Sequence, residues 1–353
     1  WGLNQNADSD MDGVPDSLEF EPLNSDILGY DIPNKTDWNI ATDKTVIVKS
    51  GTLVYGQGVT DNTQSIILGT KESITGKLDI YSGYLSTKEA IIGKEGSGKV
   101  TQTGGVFSAQ EVELAQQENS VGTYHLKEGH LKIVTLNRGL GEPLFKWDAG
   151  TFSVDHANFD LNNDGYGVLS PGRSPGITVV SGNYTQGPNA KLKIELGGLV
   201  PESPVQYDQL VVRNTMTLSG TLEVVAINNF KPGGDSVFKI LDWQFLEGSF
   251  DTINLPQLGA YLEWNTENLY SDGTIRVTDL SPWTLTGIID DNQSKVITKL
   301  NPVHLTDLTM QIGKVSYGSL QVSNEGLLTT NQTILGVDQD SLGEIIIEGA
   351  SQW

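Results

Sequence analysis

The stretch that decides the fold is residues 76–107, which read GKLDIYSGYLSTKEAIIGKEGSGKVTQTGGVF. A short pattern occurs in it twice, at residues 78–85 and again at residues 100–107. In each copy two core positions are separated by one residue, and a glycine and a further apolar position follow. Alternation with a period of two sends side chains to opposite faces of a strand, and glycine lets the chain turn a corner. The stretch therefore predicts short strands that are joined at glycine corners.

The same pattern recurs from residue 46 to residue 184, so the chain contains an internal repeat. Successive glycines of the pattern lie 32, 22, 24, 21 and 32 residues apart. Repeats of this length are typical of solenoids. Three short strands in about 22 residues match one coil of a parallel β-helix, whose coils lie about 4.8 Å apart. An antiparallel sandwich also has alternating strands, but the constant position of the glycine favours the solenoid. The six glycines are Gly51, Gly83, Gly105, Gly129, Gly150 and Gly182.

Stacked coils place equivalent side chains in columns inside the solenoid. Gln102 is the one polar member of the predicted columns, and we expect it to form hydrogen bonds inside or to distort its coil. Trp147, Trp243 and Trp264 fall in apolar patterns and are expected to be core residues. The three predicted columns are Leu78–Val100–Tyr124–Phe145, Ile80–Gln102–Leu126–Trp147 and Leu85–Phe107–Leu131–Phe152.

Composition limits the function classes. The 353 residues carry a formal net charge of −22, which argues against binding to nucleic acid or to anionic membranes. The chain has no cysteine, so disulfides, thiol chemistry and cysteine metal sites are excluded. No apolar run approaches the roughly 20 residues that span a bilayer. Together with 40 glycines, these features indicate an all-β protein that does not insert into membranes.

Residues 8–19 carry the strongest chemical signal, because they fit the pattern D-x-D-x-D-G-x-x-D-x-x-E in full. Calcium prefers six to eight oxygen ligands in flexible geometry, and this spacing supplies them. The segment resembles the calcium loops of EF-hands, dockerins and thrombospondin type 3 repeats, and a solvated acidic turn is the alternative. We expect Ca²⁺ to have a structural role here. The predicted ligands are Asp8, Asp10, Asp12, the carbonyl of Val14, Asp16 and Glu19.

Two further motifs lie between the fifth and sixth glycines. Asp160, Asn162 and Asp164 match the first half of a calcium loop, although asparagine and glycine also form ordinary turns. Residues 172–176 match G-x-S-x-G, the pattern of a hydrolase nucleophile elbow. That elbow uses the backbone N–H of the residue after the serine, and here this residue is Pro175, which has none. We therefore interpret the segment as a rigid turn between coils.

Short β-rich segments recur at residues 169–179, 182–187, 192–198, 207–212, 218–224, 234–241, 248–252, 262–265 and 269–277. Through these segments, the region from about residue 70 to residue 280 resembles the passenger repeats of bacterial autotransporters. This resemblance implies a β-helix, an extracellular location and adhesive or structural work, and it identifies no ligand.

The sequence divides into four predicted parts. Residues 1–37 form the calcium loop and a linker, 38–198 a β-helix, 199–280 a β-rich cap or sandwich-like domain, and 281–353 a second, partial β-helix. The last part is predicted because residues 283–349 align with residues 38–104 at an offset near 245. Ends of such solenoids expose strand edges, so we expect self-association, head to tail, into fibres.

The predicted function is that of a secreted structural or adhesive protein of the cell surface, without enzymatic activity. Surface glycans are a further possible class of partner. Two alternatives stay open. A β-helix polysaccharide lyase or hydrolase would use clustered carboxylates and a base, for which Asp148, Asp155 and Arg138 are the candidates. A carbohydrate-binding or ice-binding module would use outward-facing side chains in a ladder.

Overall fold

The computed structural model describes residues 27–36, 45–55, 60–73, 75–200, 205–279, 288–289, 293–297, 303–312, 317–322, 328–336 and 340–348. Its regular elements in these ranges are all β-strands. Among the described residues, no helix has the length and apolar character needed to cross a membrane. The chain divides into two compact units. The first comprises Trp1–Phe230, Phe238–Pro256 and Thr266–Ile275, and the second comprises Lys231–Val237, Gln257–Asn265 and Arg276–Trp353.

The strands are listed here in chain order. The first ten are β1 Ile27–Thr36, β2 Thr45–Tyr55, β3 Thr60–Leu68, β4 Thr75–Ile80, β5 Tyr84–Ile92, β6 Ser97–Leu114, β7 Val121–Arg138, β8 Glu142–Trp147, β9 Thr151–Ala157 and β10 Leu161–Asn163. The next nine are β11 Val168–Leu169, β12 Ile177–Val180, β13 Tyr184–Gln186, β14 Lys191–Leu196, β15 Gln209–Leu218, β16 Thr221–Ala226, β17 Val237–Lys239, β18 Leu241–Gly248 and β19 Thr252–Asn254. The remaining strands are β20 Leu262–Asn265, β21 Thr274–Asp279, β22 Ile288–Ile289, β23 Gln293–Ile297, β24 Val303–Ile312, β25 Tyr317–Val322, β26 Leu328–Leu335 and β27 Leu342–Ile347.

The first unit is a parallel β-solenoid, as the sequence predicts. Every neighbouring pair in the three predicted columns lies in parallel register: Leu78 opposite Val100, for example, and Leu85 opposite Phe107. The remaining pairs follow the same scheme up to β8 and β9. The column members are buried, apart from the half-buried Phe145. The predicted columns and the fold class are therefore confirmed, and Trp147 is a core residue.

Gln102 combines the two behaviours expected of it. Its side chain is fully buried, and its Nε2 donates to the carbonyls of Gly104 and Gly105 at 3.2 Å and of His130 at 3.3 Å. Its Oε1 accepts a hydrogen bond of 2.6 Å from the Tyr124 hydroxyl. The register of β6 against β7 also shifts just after Gln102. The coil therefore bulges where it accommodates a polar side chain.

The parallel stack has about ten turns and continues beyond residue 198. Strand β15 pairs with β18, and β16 pairs with β19, so parallel pairing reaches Asn254. This stretch lies in the range for which the sequence indicated a cap or a sandwich-like domain. The glycine spacing hides the continuation because the twelve residues between the end of β14 and the start of β15 interrupt the repeat. A register shift after Val212 disturbs the spacing further.

The second unit contains two small parallel sheets, β22–β24–β26 and β23–β25–β27. Leu320 lies opposite Ile345, the same relation that Leu78 has to Val100. Gly343 packs so tightly that an added Cβ would lie 2.0 Å from the Ile312 carbonyl oxygen. The aligned residue of the first unit, Gly98, is equally constrained, because an added Cβ there would lie 2.1 Å from the Gly93 nitrogen.

Candidate binding groove

A file of mostly short polar side chains runs beside the third column of the first unit, and two of its serines, Ser153 and Ser170, are buried. Register places Ser86 opposite Ser108, Ser108 opposite Lys132 and Lys132 opposite Ser153. Leu169 pairs with Phe152 on one side and with Leu192 on the other. The residues that follow these two leucines, Ser170 and Lys193, therefore continue the file. We call this set the outer file: Ser86, Ser108, Lys132, Ser153, Ser170 and Lys193.

The turn at residues 172–176 forms one wall beside the outer file. The Gly172 N–H donates to the Val154 carbonyl at 3.2 Å, and the Arg173 Nε donates to Asp155 at 3.1 Å. Ser174, whose φ of +66° is unusual for a residue with a side chain, donates through Oγ to Glu195. The serines are short and the turn stands above them, so a groove of about 780 Å³ results.

Asp208 holds this wall in place from inside the protein. Its side chain is fully buried, and its two oxygens accept backbone N–H groups from Gly176 at 2.7 Å and from Glu195 at 2.9 Å. Burial raises the pKa of Asp208 to about 7, although both N–H groups act in the opposite direction. One carboxyl group therefore links the turn to the next coil.

The groove has the opposite charge to the rest of the molecule. Four basic side chains line it, Lys88, Lys132, Arg173 and Lys193, whereas Glu195 is the one acidic lining residue in the described part of the chain. Lys193 pairs with Glu195 at 2.7 Å. Lys132 is exposed and forms no ion pair with any described residue. The whole chain carries a net charge of −22, so this strip is a local positive region.

His130 lies in the groove between two lysines. Its Nε2 is 3.0 Å from the Ser153 Oγ, which is hydrogen-bonding distance. Burial, together with smaller effects of the charges of Lys132 and Lys193, lowers the pKa of His130 to about 4. The ring is therefore neutral near pH 7 and contributes hydrogen bonding rather than charge.

The calcium loop at residues 8–19 lies outside the described residues, so calcium there stays a prediction. Asp160, Asn162 and Asp164 are all exposed. The Asp160 Oδ1 accepts the Asn183 backbone N–H at 2.8 Å, and the Asn162 Nδ2 donates to Asp164 at 2.7 Å. In the described part of the chain, no three acidic or histidine side chains are arranged to hold a metal ion. Calcium at this second site also stays a prediction.

The carboxylates considered for a lyase or hydrolase belong to separate ion pairs. Asp148 lies 2.6 Å from the His125 Nε2 and 3.3 Å from the Lys146 Nζ. These contacts lower the pKa of Asp148, with the His125 hydrogen bond as the largest cause. Asp155 instead pairs with Arg173 at 3.1 Å. Arg138 is the last residue of β7.

The outer file was not singled out from the sequence, although part of its signal is present there. Each residue that follows a member of the third column belongs to the file, from Ser86 to Ser153. A ladder of serine and lysine at that position distinguishes this face from the others. Comparisons with known proteins add no relative: no family profile, curated protein or solved structure matches the chain.

Proposed function

We propose that this protein is a secreted structural or adhesive solenoid of the cell surface, in which the coils act as a stiff spacer. The observation that supports this most directly is the continuous parallel stack with its buried columns. Successive turns lie about 4.8 Å apart, so about ten turns, which are separated by nine intervals, extend over about 43 Å. A stack in which every coil contacts only its neighbours resists bending because neighbouring coils share hydrogen bonds and a core.

The extracellular location is supported by the sequence rather than by a site. The region from about residue 70 to residue 280 resembles bacterial autotransporter passenger repeats, which work outside the cell. The acidic, cysteine-free composition is compatible with that location. Detection of the native protein in the medium or on intact cells, by antibody labelling, would support the proposal, and confinement to the cytoplasm would refute it.

We also propose self-association through the second unit. Among the described strands, β27 pairs with β25 and lies at the edge of its sheet. It exposes Leu342 by 61% and Ile347 by 45%, which is a costly arrangement for a strand edge in water. A second copy of the chain would cover this edge, and a contact between unlike ends produces open fibres.

Sedimentation velocity over a wide concentration range tests this association. We expect species larger than a monomer to increase with concentration, and we expect Ile347→Lys to abolish them. Leu140→Lys, at an exposed residue of the first unit, is the matched control. A monomer that is stable at every concentration would contradict the assembly proposal and leave the solenoid spacer unaffected.

The structural calcium ion remains part of the proposal, at residues 8–19. Calorimetric titration of the full chain should show a Ca²⁺ site that the double change Asp10→Asn with Asp12→Asn removes. The double change Asp160→Asn with Asp164→Asn should have no effect on that site. Electron microscopy of the native material, with and without a chelator, would then show whether calcium affects assembly. Unchanged Ca²⁺ binding in the first variant would exclude the N-terminal loop.

A further inference from the structure

We propose that the groove along the outer file binds an extended oligosaccharide that carries carboxylate groups. This inference goes beyond the spacer function and does not depend on self-association. It rests on three observations of the first unit: the local reversal of charge, the spacing of two lysines along the file, and the hydroxyl groups between them.

The charge of the groove selects an anion. Four basic side chains and one acidic side chain line it, in a protein whose net charge is −22. Lys132 is exposed and has no ion-pair partner among the described residues, so a ligand carboxylate can approach it directly. Lys193 contacts Glu195 at 2.7 Å, and a second carboxylate can share its ammonium group, which has three donors.

The spacing of the lysines selects an extended ligand. Lys132 and Lys193 lie three levels apart in the outer file, with Ser153 and Ser170 between them. Three levels of about 4.8 Å separate the two backbone positions by about 14 Å. A linear chain with acidic groups at intervals can contact both lysines along this distance.

The hydroxyl groups that line the groove suit sugars. Ser108, Thr151 and Ser153 line the groove with hydroxyl groups, which both donate and accept hydrogen bonds. His130 is neutral near pH 7 and adds a ring nitrogen to the same wall. Short side chains leave room for a ring to lie against the floor. Sugar hydroxyls could therefore be matched by protein hydroxyls along the file.

Two other macromolecular ligands fit the groove less well. None of its described lining residues is phenylalanine, tyrosine or tryptophan, so the stacking platforms that bind single-stranded nucleic acid are missing there. The strands beneath the groove, such as β7 and β9, are paired with one another, so they offer no free edge for an extended peptide.

The test is a calorimetric titration of the full chain with a hexasaccharide of galacturonic acid and, in parallel, with its neutral methyl ester. We expect the acid to bind and the ester to bind at least about tenfold more weakly, since the ester lacks the carboxylates that form charge-assisted hydrogen bonds with the lysines. Lys132→Ala and Lys193→Ala should each weaken binding about tenfold, and Lys132→Arg should retain it. Lys146→Ala, which removes the partner of Asp148 outside the groove, is the matched control.

A second variant and a spectroscopic signal complete the test. Ser108→Glu adds a negative charge to the file without removing a lysine, so it should abolish binding while the unfolding curve stays unchanged. The pKa of His130, followed by NMR, should rise when the acid binds, because a bound carboxylate offsets the two lysines. Equal binding of acid and ester would overturn the proposal. An affinity for the acid that is unchanged in Lys132→Ala and Lys193→Ala would also overturn it. Tighter binding of single-stranded DNA or of an acidic peptide would overturn the ligand class.

Discussion

The hydrogen bond between Gln102 and Tyr124 offers the sharpest test of the packing in the solenoid. Both side chains are fully buried, and the Tyr124 hydroxyl donates to the Gln102 Oε1 at 2.6 Å. Gln102→Leu leaves that hydroxyl without an acceptor and removes the donor from three carbonyl groups. Buried groups without partners cost about 1–3 kcal/mol each, and the carbonyls are only partly buried, so we expect a loss of about 3 kcal/mol.

The partner substitution should cost less, and the double substitution should show coupling. Tyr124→Phe removes one hydrogen bond and should lower the free energy of unfolding by about 1.5 kcal/mol. In the double variant no buried hydroxyl is left without an acceptor, so the total loss should stay near 3 kcal/mol instead of reaching about 4.5 kcal/mol. The coupling energy is then about 1.5 kcal/mol.

Urea unfolding followed by tryptophan fluorescence measures these values. Lys99→Ala, an exposed position on the same strand, is the control and should change stability by less than about 0.5 kcal/mol. If the losses of the single variants add within about 0.3 kcal/mol, the two side chains do not act as a pair. The account of Gln102 as a satisfied polar core residue would then be wrong.

Three further predictions concern the core, the corners and the effect of pH. Leu131→Ala shortens a fully buried side chain of the third column and should lower the free energy of unfolding in urea by about 3 kcal/mol. Lys132→Ala, at the exposed next residue, should lower it by less than about 0.5 kcal/mol. Similar losses in the two variants would contradict the register. Gly122→Ala places a Cβ 2.2 Å from backbone atoms of the preceding coils and should abolish the native near-ultraviolet circular dichroism signal, so a native-like spectrum and melting curve would refute the packing. The pKa of Asp208 is about 7 in the folded protein and about 4 in an unfolded chain, so the folded state binds the extra proton in this interval. Wild-type protein should therefore lose stability relative to Asp208→Asn as the pH rises from about 4 to 7, and a difference that stays constant with pH would exclude this role.

Much of the core could be predicted from the sequence because its determinants are local. Period-two alternation decides which side chains point inward, and a glycine decides where the chain turns. Aligning the repeats on these two features placed Phe107 beside Leu131 and identified Gln102 as the polar exception. Glycine spacing did not predict the parallel pairing after residue 198, because the twelve residues between β14 and β15 interrupt the repeat.

The sequence by itself determined the solenoid, its columns and the excess of acidic residues. Only the tertiary structure decided where positive charge collects, because Lys132 and Lys193 come from coils three levels apart. The structure also shows that Ser174 donates a hydrogen bond to Glu195 and that the Glu195 N–H in turn donates to Asp208. Neither contact follows from the sequence. The physical reason is that alternation and corners act within one coil. A groove depends on the side chains that several stacked coils present together, and their register is a property of the whole stack.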